Sequence, residues 1–393
     1  MEEWLPFKNK RMKRIYLDNA ATTPIAPEVL DAMMPYLTEQ FGNPSSPGQE
    51  GRMARLAVEN ARKSIAKGLN THPSQLIFTS CGTEANNLAI RGLIKAKKIT
   101  RVISTRIEHS SVYNTLCDLT WQGQIEFIQL SIDAEGRPDL KELENYLADG
   151  HGHTMVSLMH ANNEIGTMIN LWEVGSICAK YKAFFHSDTV QTMGHYPMDL
   201  SEIPVDLMTM SAHKFHGPKG VGMLWMRKDL GLQVIQTGGS HENGMRGGTE
   251  NVAGIVAMAK AFEMAMHAYE KDSLHIQKIS SVLQEGMEKL GAVRHGSKDK
   301  NRLYTVLSMG FPDTERSKHL LLELDIAGIS VSAGSACNSG KISKVMAAIH
   351  AEQMINIRFS FSRYNQLPQI HRVLDIIQYQ LIGESITVEN SLV

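Results

Sequence analysis

The chain has 393 residues, 42% of them hydrophobic and 21% charged, and carries a net charge of −1. That is the make-up of a globular protein with ample core and length for two or three domains, and the neutral balance gives no support for binding nucleic acid or a membrane surface. No apolar run approaches the roughly 18 residues of a membrane span, the opening M-E-E-W-L-P-F-K lacks a secretory apolar stretch, and the scattered cysteines (Cys81, Cys117, Cys178, Cys337) fit a reducing cytoplasm better than disulfides or zinc.

In chain order, residues 15–24 (I-Y-L-D-N-A-A-T-T-P) read as a short strand breaking into a turn, and 27–37 as a helix. The stretch 41–52 is loop chemistry, rich in Gly, Pro, Asn and Ser. A helix over about 52–68 follows. From Gln75 strands and helices alternate. Strands are expected at 75–80, 101–105, 125–130, 154–160 and 183–188, with helices at 81–95, 110–119, 140–147 and 171–181 between them. Further strands fall at 206–213 and 221–227. This alternation predicts an α/β fold with a mainly parallel, doubly wound sheet, whose ligands bind at the carboxyl ends of the strands. A long helix from Glu250 to about Asp272 leads to a second unit. That unit holds strands at 303–309, near 330 and at 355–362, and helices at about 315–327 and 366–383.

The polar residues at the strand ends make one constellation. Lys214, in S-A-H-K-F-H-G-P-K-G (211–220), sits on a Gly/Pro turn after a buried strand. A lysine amine there can form a Schiff base with an aldehyde cofactor such as pyridoxal phosphate; the plainer reading is a surface lysine. Gly82-Thr83 opens a helix, where free N–H groups suit a phosphate, unless Thr83 is simply an N-cap. His109 could stack on a flat ring or merely be solvated. Asn162 and Asn163 could bond a phenolic oxygen or satisfy a turn. Asp188 could pair with a pyridinium nitrogen, with Gln191 close by, or cap a helix.

The whole run of motifs resembles the cysteine desulfurases, within the aminotransferase class V group of fold-type I pyridoxal-phosphate enzymes. The matching stretches are Y-L-D-N-A-A-T-T-P (16–24), G-N-P-S-S (42–46), F-T-S-C-G-T-E-A-N-N-L-A-I (78–90), E-H-S-S-V (108–112), M-H-A-N-N-E-I-G (159–166) and H-S-D-T-V-Q-T-M-G (186–194). They continue through S-A-H-K-F-H-G-P-K-G (211–220), G-G-S-H-E-N-G-M-R-G-G-T-E-N (238–251), S-A-G-S-A-C-N-S-G (332–340) and I-R-F-S (357–360). The resemblance implies that Lys214 holds pyridoxal 5'-phosphate, Asp188 pairs with its ring nitrogen and His109 stacks on the ring. Gln191 and Asn163 would contact the ring oxygen or its neighbours. Gly82, Thr83, Ser211 and His213 would hold the phosphate, joined by Thr249 from the other subunit of a homodimer. Arg358, with Asn163 nearby, would take the substrate carboxylate of L-cysteine. Cys337 would be the nucleophile that receives the sulfur as a persulfide. Alone, a cysteine near a strand is more often a small buried hydrophobe. Gly334, Ser335, Ser339 and Gly340 around Cys337 predict a mobile loop.

The chain departs from that pattern in places. Cys81 stands where the family usually has glycine, and no histidine follows G-N-P-S-S directly. The segment from Cys337 to I-R-F-S is short, with K-I-S-K in it; Lys341 and Lys344 are either a solvated face or a guide for an acidic acceptor. The expectation is a cytoplasmic homodimeric desulfurase that feeds a sulfur acceptor or iron–sulfur scaffold protein, for cluster assembly or tRNA thiolation. Its large cofactor domain would cover 16–255, and a smaller α+β domain 1–15 with 256–393. Alternatives are a selenocysteine lyase, a class V aminotransferase that does not need Cys337, or a cofactor-binding assembly partner with impaired catalysis.

Overall fold

The computed structural model describes residues 14–333 and 343–383. The described chain starts with β1 (Ile15–Tyr16), α1 (Pro27–Thr38) and α2 (Gln49–Gly68). Alternation follows: β2 (Leu76–Thr79), α3 (Gly82–Lys97), β3 (Arg101–Ser104), α4 (Ser110–Trp121), β4 (Glu126–Gln129), α5 (Leu140–Ala148), β5 (Thr154–Ser157), α6 (Leu171–Lys180), β6 (Phe184–Asp188), β7 (Leu207–Ser211) and β8 (Gly222–Met226). The remainder comprises α7 (Val252–Lys289), β9 (Val293–Arg294), β10 (Val306–Phe311), α8 (Leu320–Ile326), β11 (Ile329–Ser330), α9 (Lys344–Ala348), β12 (Ile355–Ser360) and α10 (Leu367–Ile382).

β2 to β8 form one seven-stranded sheet in the order β2-β8-β7-β6-β5-β3-β4. The pairs among β3 to β7 are parallel, and β8 runs antiparallel to both its neighbours. The connection 212–221 is too short for a parallel return, which needs about a dozen residues or more. Side chains alternate between two apolar layers, as period-2 strands require. Ile77, Val102, Met155, Leu207 and Leu224 face α3 and α4. Phe78, Ile103, Val156, Met208 and Met223 face α2, α6 and the first half of α7.

Two helices differ from their expected bounds. α2 starts at Gln49, earlier than the expected 52. α7 does not end at Asp272 but continues to Lys289, 38 residues in all. No Gly or Pro interrupts 255–285, and apolar positions recur to the end. The reason is packing: Ile255 to Ala265 lie in the first core, and Ile276, Ile279, Leu283 and Met287 lie in a second. This second core is closed by α8, α10, and β12 paired antiparallel with β10. Its edge is completed from the other end of the chain. β1 pairs in parallel with β11, and Leu17 is fully buried there. Two elements, β9 and α9, are too short to be legible as periodic patterns.

Candidate active site

At the carboxyl ends of the parallel strands lies a cavity of about 310 Å3. Gly82, Thr83, His109, Asn163, Asp188, Gln191, Ser211, His213, Lys214 and Arg358 all line it. Thr249 is exposed and lies apart from the cavity of its own chain. Cys337 lies outside the described residues.

β7 ends at Ser211 and passes into a single tight turn, Ala212–Lys214. That turn aims the lysine back across the strand ends. Lys214 Nζ donates to the carbonyls of Ala20 and Ala21, at 2.7 and 3.0 Å. The D-N-A-A-T stretch is thus the wall against which the amine rests. His213 Nδ1 lies 3.1 Å from Thr22 Oγ1 on the same stretch. Burial, reinforced by the charges of Lys214 and Lys219, pushes His213 down to about 4, so its ring is neutral near pH 7.

Asp188 ends β6 and is buried. Its Oδ2 accepts from Asn86 Nδ2 at 2.7 Å, and its Oδ1 from the Val190 N–H at 3.0 Å. With the Thr209 hydroxyl at 3.5 Å from Oδ1, its hydrogen-bond donors are an amide, a backbone N–H and a hydroxyl rather than a cation, and no helix follows for it to cap. Asn86 also donates to Ser111 Oγ at 2.8 Å. His109 occupies the N-cap of α4, where Nδ1 accepts from the Ser111 N–H. That bond puts the ring proton on Nε2 and fixes the ring plane at the cavity wall. Of the paired amides, Asn162 satisfies the turn: its Oδ1 accepts from the N–H groups of Glu164 and Ile165. Asn163 is left to line the cavity. Gln191 Nε2 donates to the Ala20 carbonyl at 3.2 Å.

Arg358 is 2% exposed and already engaged. One Nη donates to Asp18 Oδ1 at 2.7 Å, the other to the Asn163 carbonyl at 2.8 Å. Its Nε is buried without a partner among the described residues. The cationic fork therefore stands orientated at the cavity rim.

The cavity fits pyridoxal phosphate on three observations. Cys81 takes the N-cap position of α3 without a side-chain cap bond, so Thr83 is not the cap and the first N–H groups face the cavity as an anion site. Ser211 Oγ, beside that terminus, is buried without a partner among the described residues. A Cβ at Gly82 would come within 2.7 Å of Val190 Cγ2, so only glycine leaves the approach open. Together with an acid at one wall and an amine at another, these are the contacts a phosphorylated pyridine aldehyde requires.

Sequence reasoning missed Asn86, Asp18 and the carbonyls of Ala20 and Ala21. Asn86 and Asp18 were inside quoted motifs, and Asn86 lies one helical turn after Gly82. The carbonyls have no side-chain signature at all. Lys344, a candidate guide for an acidic acceptor, has its Nζ 4.1 Å over the Tyr113 ring.

Comparison with known proteins gives one consistent answer. The family described as aminotransferase class-V matches residues 15–373. A Dictyoglomus turgidum protein named cysteine desulfurase IscS is 40% identical over 376 residues, 93% of this chain and 94% of its own. A protein of the same name from Methanosarcina thermophila is 38% identical, with 93% and 91% covered. A solved structure titled NifS-like protein superposes with a TM-score of 0.87 at 35% identity, covering 94% of this chain and all of its own.

Proposed function

The chain belongs to the aminotransferase class V family and is a cysteine desulfurase with pyridoxal phosphate as cofactor, and from that premise we propose how its residues divide the work. The observation that carries the reading is the convergence of Lys214, Asp188, the α3 terminus and Arg358 on one cavity.

The α3 N–H groups, Thr83, Ser211 and His213 would hold the phosphate. Asp188, held by Asn86, would pair with the ring nitrogen, and His109 would stack on the ring. When bound, the cofactor supplies an electron sink for charge developing at the substrate Cα. Lys214 Nζ would be its attachment point, and the same amine is placed to hold and return the proton at the substrate Cα. Arg358, preset by Asp18, grips the substrate carboxylate beside Asn163. Cys337, as a thiolate, attacks the substrate sulfur. A new S–S bond forms, the substrate's C–S bond breaks with its electron pair going to carbon, and alanine leaves after protonation. The persulfide then passes to an acceptor thiol, in iron–sulfur assembly or tRNA thiolation. Both flanks of Cys337's segment are tied near the cavity. Ser332 exchanges backbone bonds with Arg358 at 3.2 and 2.7 Å, and Ser343 bonds Glu164.

We further assign a large body over 16–255 and a small one over 1–15 with 256–393; a change of core within α7 supports two bodies, although it falls between Ala265 and Ile276, and Leu17 packs in the second core. A homodimer accounts for Thr249, which would complete the phosphate site of a second copy. It also accounts for the exposed apolar side chains Leu30, Met34, Leu37, Phe41, Met53 and Leu56 around α1 and α2. A cytoplasmic setting accords with Cys81, Cys117 and Cys178 being free thiols. No described helix is long and apolar enough to cross a membrane.

The test is product release from L-cysteine with a reductant. Wild type should give sulfide and alanine in equal amounts, and Cys337→Ala should lose both while keeping the cofactor's absorbance. Full activity in Cys337→Ala would show the nucleophile to be wrongly assigned.

A further inference from the structure

The turn that supplies Asn163 to the cavity also carries an acid of unassigned purpose. Glu164 is 5% exposed and does not line the cavity. Its Oε2 accepts from Ser343 Oγ at 2.5 Å. Ser343 is the N-cap of α9, and its oxygen already accepts from the N–H groups of Val345 and Met346, at 3.1 and 3.3 Å. A hydroxyl has two lone pairs and one hydrogen. With both lone pairs facing α9, the hydrogen has one direction left, toward Glu164. The apolar side of α9 reinforces this seat: Val345, Met346 and Ile349 pack on Ile107 and Ile165, which flank the cavity turns at His109 and Asn163. Lys344 adds its contact with Tyr113, on the helix that His109 caps.

The same turn is braced from the substrate side. Arg358 donates to the Asn163 carbonyl, and the backbone of Arg358 pairs with Ser332. The path Ser332, Arg358, Asn163, Glu164, Ser343 is therefore continuous, and it joins the two flanks of the stretch containing Cys337. Burial raises Glu164 from the usual carboxylate range, while the bond from Ser343 and the charge of Arg358 act against that rise.

We propose that Glu164 is a positioning residue for the sulfur-transfer step, holding through Ser343 the downstream flank of the Cys337 stretch on the turn that lines the substrate cavity. The inference rests on the reading of Cys337 as the sulfur-accepting thiol. Glu164 touches neither substrate nor cofactor, so its loss acts on where the thiol is delivered and not on how the amino acid is bound. Misplacing a reacting group by about 1 Å can cost on the order of a hundredfold in rate.

Two measurements separate these effects on the holoenzyme. The first is persulfide formation on Cys337 in a single turnover with L-cysteine; the second is equilibrium binding of L-alanine, read from the cofactor's absorbance. Glu164→Ala and Ser343→Ala should each slow persulfide formation by about tenfold to a hundredfold, with alanine affinity unchanged within about twofold. Glu164→Gln keeps an acceptor oxygen for Ser343 and should restore most of the rate. The double variant Glu164→Ala/Ser343→Ala should be no slower than Ser343→Ala alone, since Glu164 acts only through that hydroxyl while Ser343 also caps α9. Unchanged rates in the single variants, alanine affinity falling in step with the rate, or multiplying effects in the double variant would each overturn the proposal. Cys337→Ala run in parallel separates the two levels. If it stays active, the reading beneath the proposal fails; if it is inactive while Glu164→Ala is fully active, the proposal alone fails.

Discussion

Position 82 shows how narrowly a single residue can decide the site. A methyl group there meets Val190 Cγ2 at 2.7 Å, in the mouth of the anion cradle. Gly82→Ala should therefore weaken cofactor binding by about tenfold or more, in line with overpacking costs of about 1–3 kcal/mol. Adding Val190→Ala should recover much of the loss. Titration of the cofactor against each variant, followed by absorbance, checks both outcomes; no recovery in the double variant would place the cause elsewhere. Residues of this kind were legible in the sequence because their chemistry is in the side chain, or in glycine's lack of one. Lys214, Asp188 and His109 stood out at strand ends for the same reason. The supporting shell was not legible. Asn86 reaches Asp188 only because α3 and β6 lie side by side, and the carbonyls that hold Lys214 belong to two alanines.

At the scale of elements, the alternating strands and helices were readable from period alone, but their pairing was not. β8 follows β7 so closely that its reversal is a matter of connection length, whereas its pairing with β2 depends on where α2 and α3 pack. α1 and α2 carry the clearest unspent apolar surface: Leu37 is 54% and Leu56 52% exposed. If a second copy covers that face, Leu37→Asp/Leu56→Asp should shift the protein from dimer toward monomer in sedimentation, because a carboxylate does not enter such an interface without a partner. Loss of cofactor should accompany the shift, since Thr249 would no longer reach its neighbour. A variant that stays dimeric assigns the contact to another face.

Across the whole molecule, the buried imidazoles set the response to acid. Desolvation lowers His160 to about 3, and His186, His195 and His216 to about 4. The unfolded chain takes up protons near pH 6.5 that these rings refuse when folded, so stability falls as pH drops from about 6.5 toward 4. Glu108, Glu164 and Asp272, raised above the usual carboxylate range by desolvation, act in the opposite sense, but they are three groups against these four imidazoles and the likewise lowered His213 and His295. Thermal unfolding at several pH values should show the melting temperature falling through that window, with a shallower fall for His160→Gln. A flat profile would mean that the rings charge in place. None of this could be read from composition, because a histidine's burial is a property of the assembled fold.

The stitching of the N-terminal strip onto the far end of the chain has a further consequence, for the order of events during synthesis. Leu17 and Asn19 exchange backbone bonds with Ser360, while the carbonyls of Ala20 and Ala21 directly after them hold the lysine amine. A ribosome delivers Leu17 and Asn19 long before it delivers Ser360. Lys214 emerges with its wall unbuilt and waits through roughly 150 more residues, which at about 5–20 residues per second is a delay of about 7–30 seconds. The nascent chain can lay down its parallel sheet in that interval, but the cofactor has no finished seat until the stretch around Ser360 has been made.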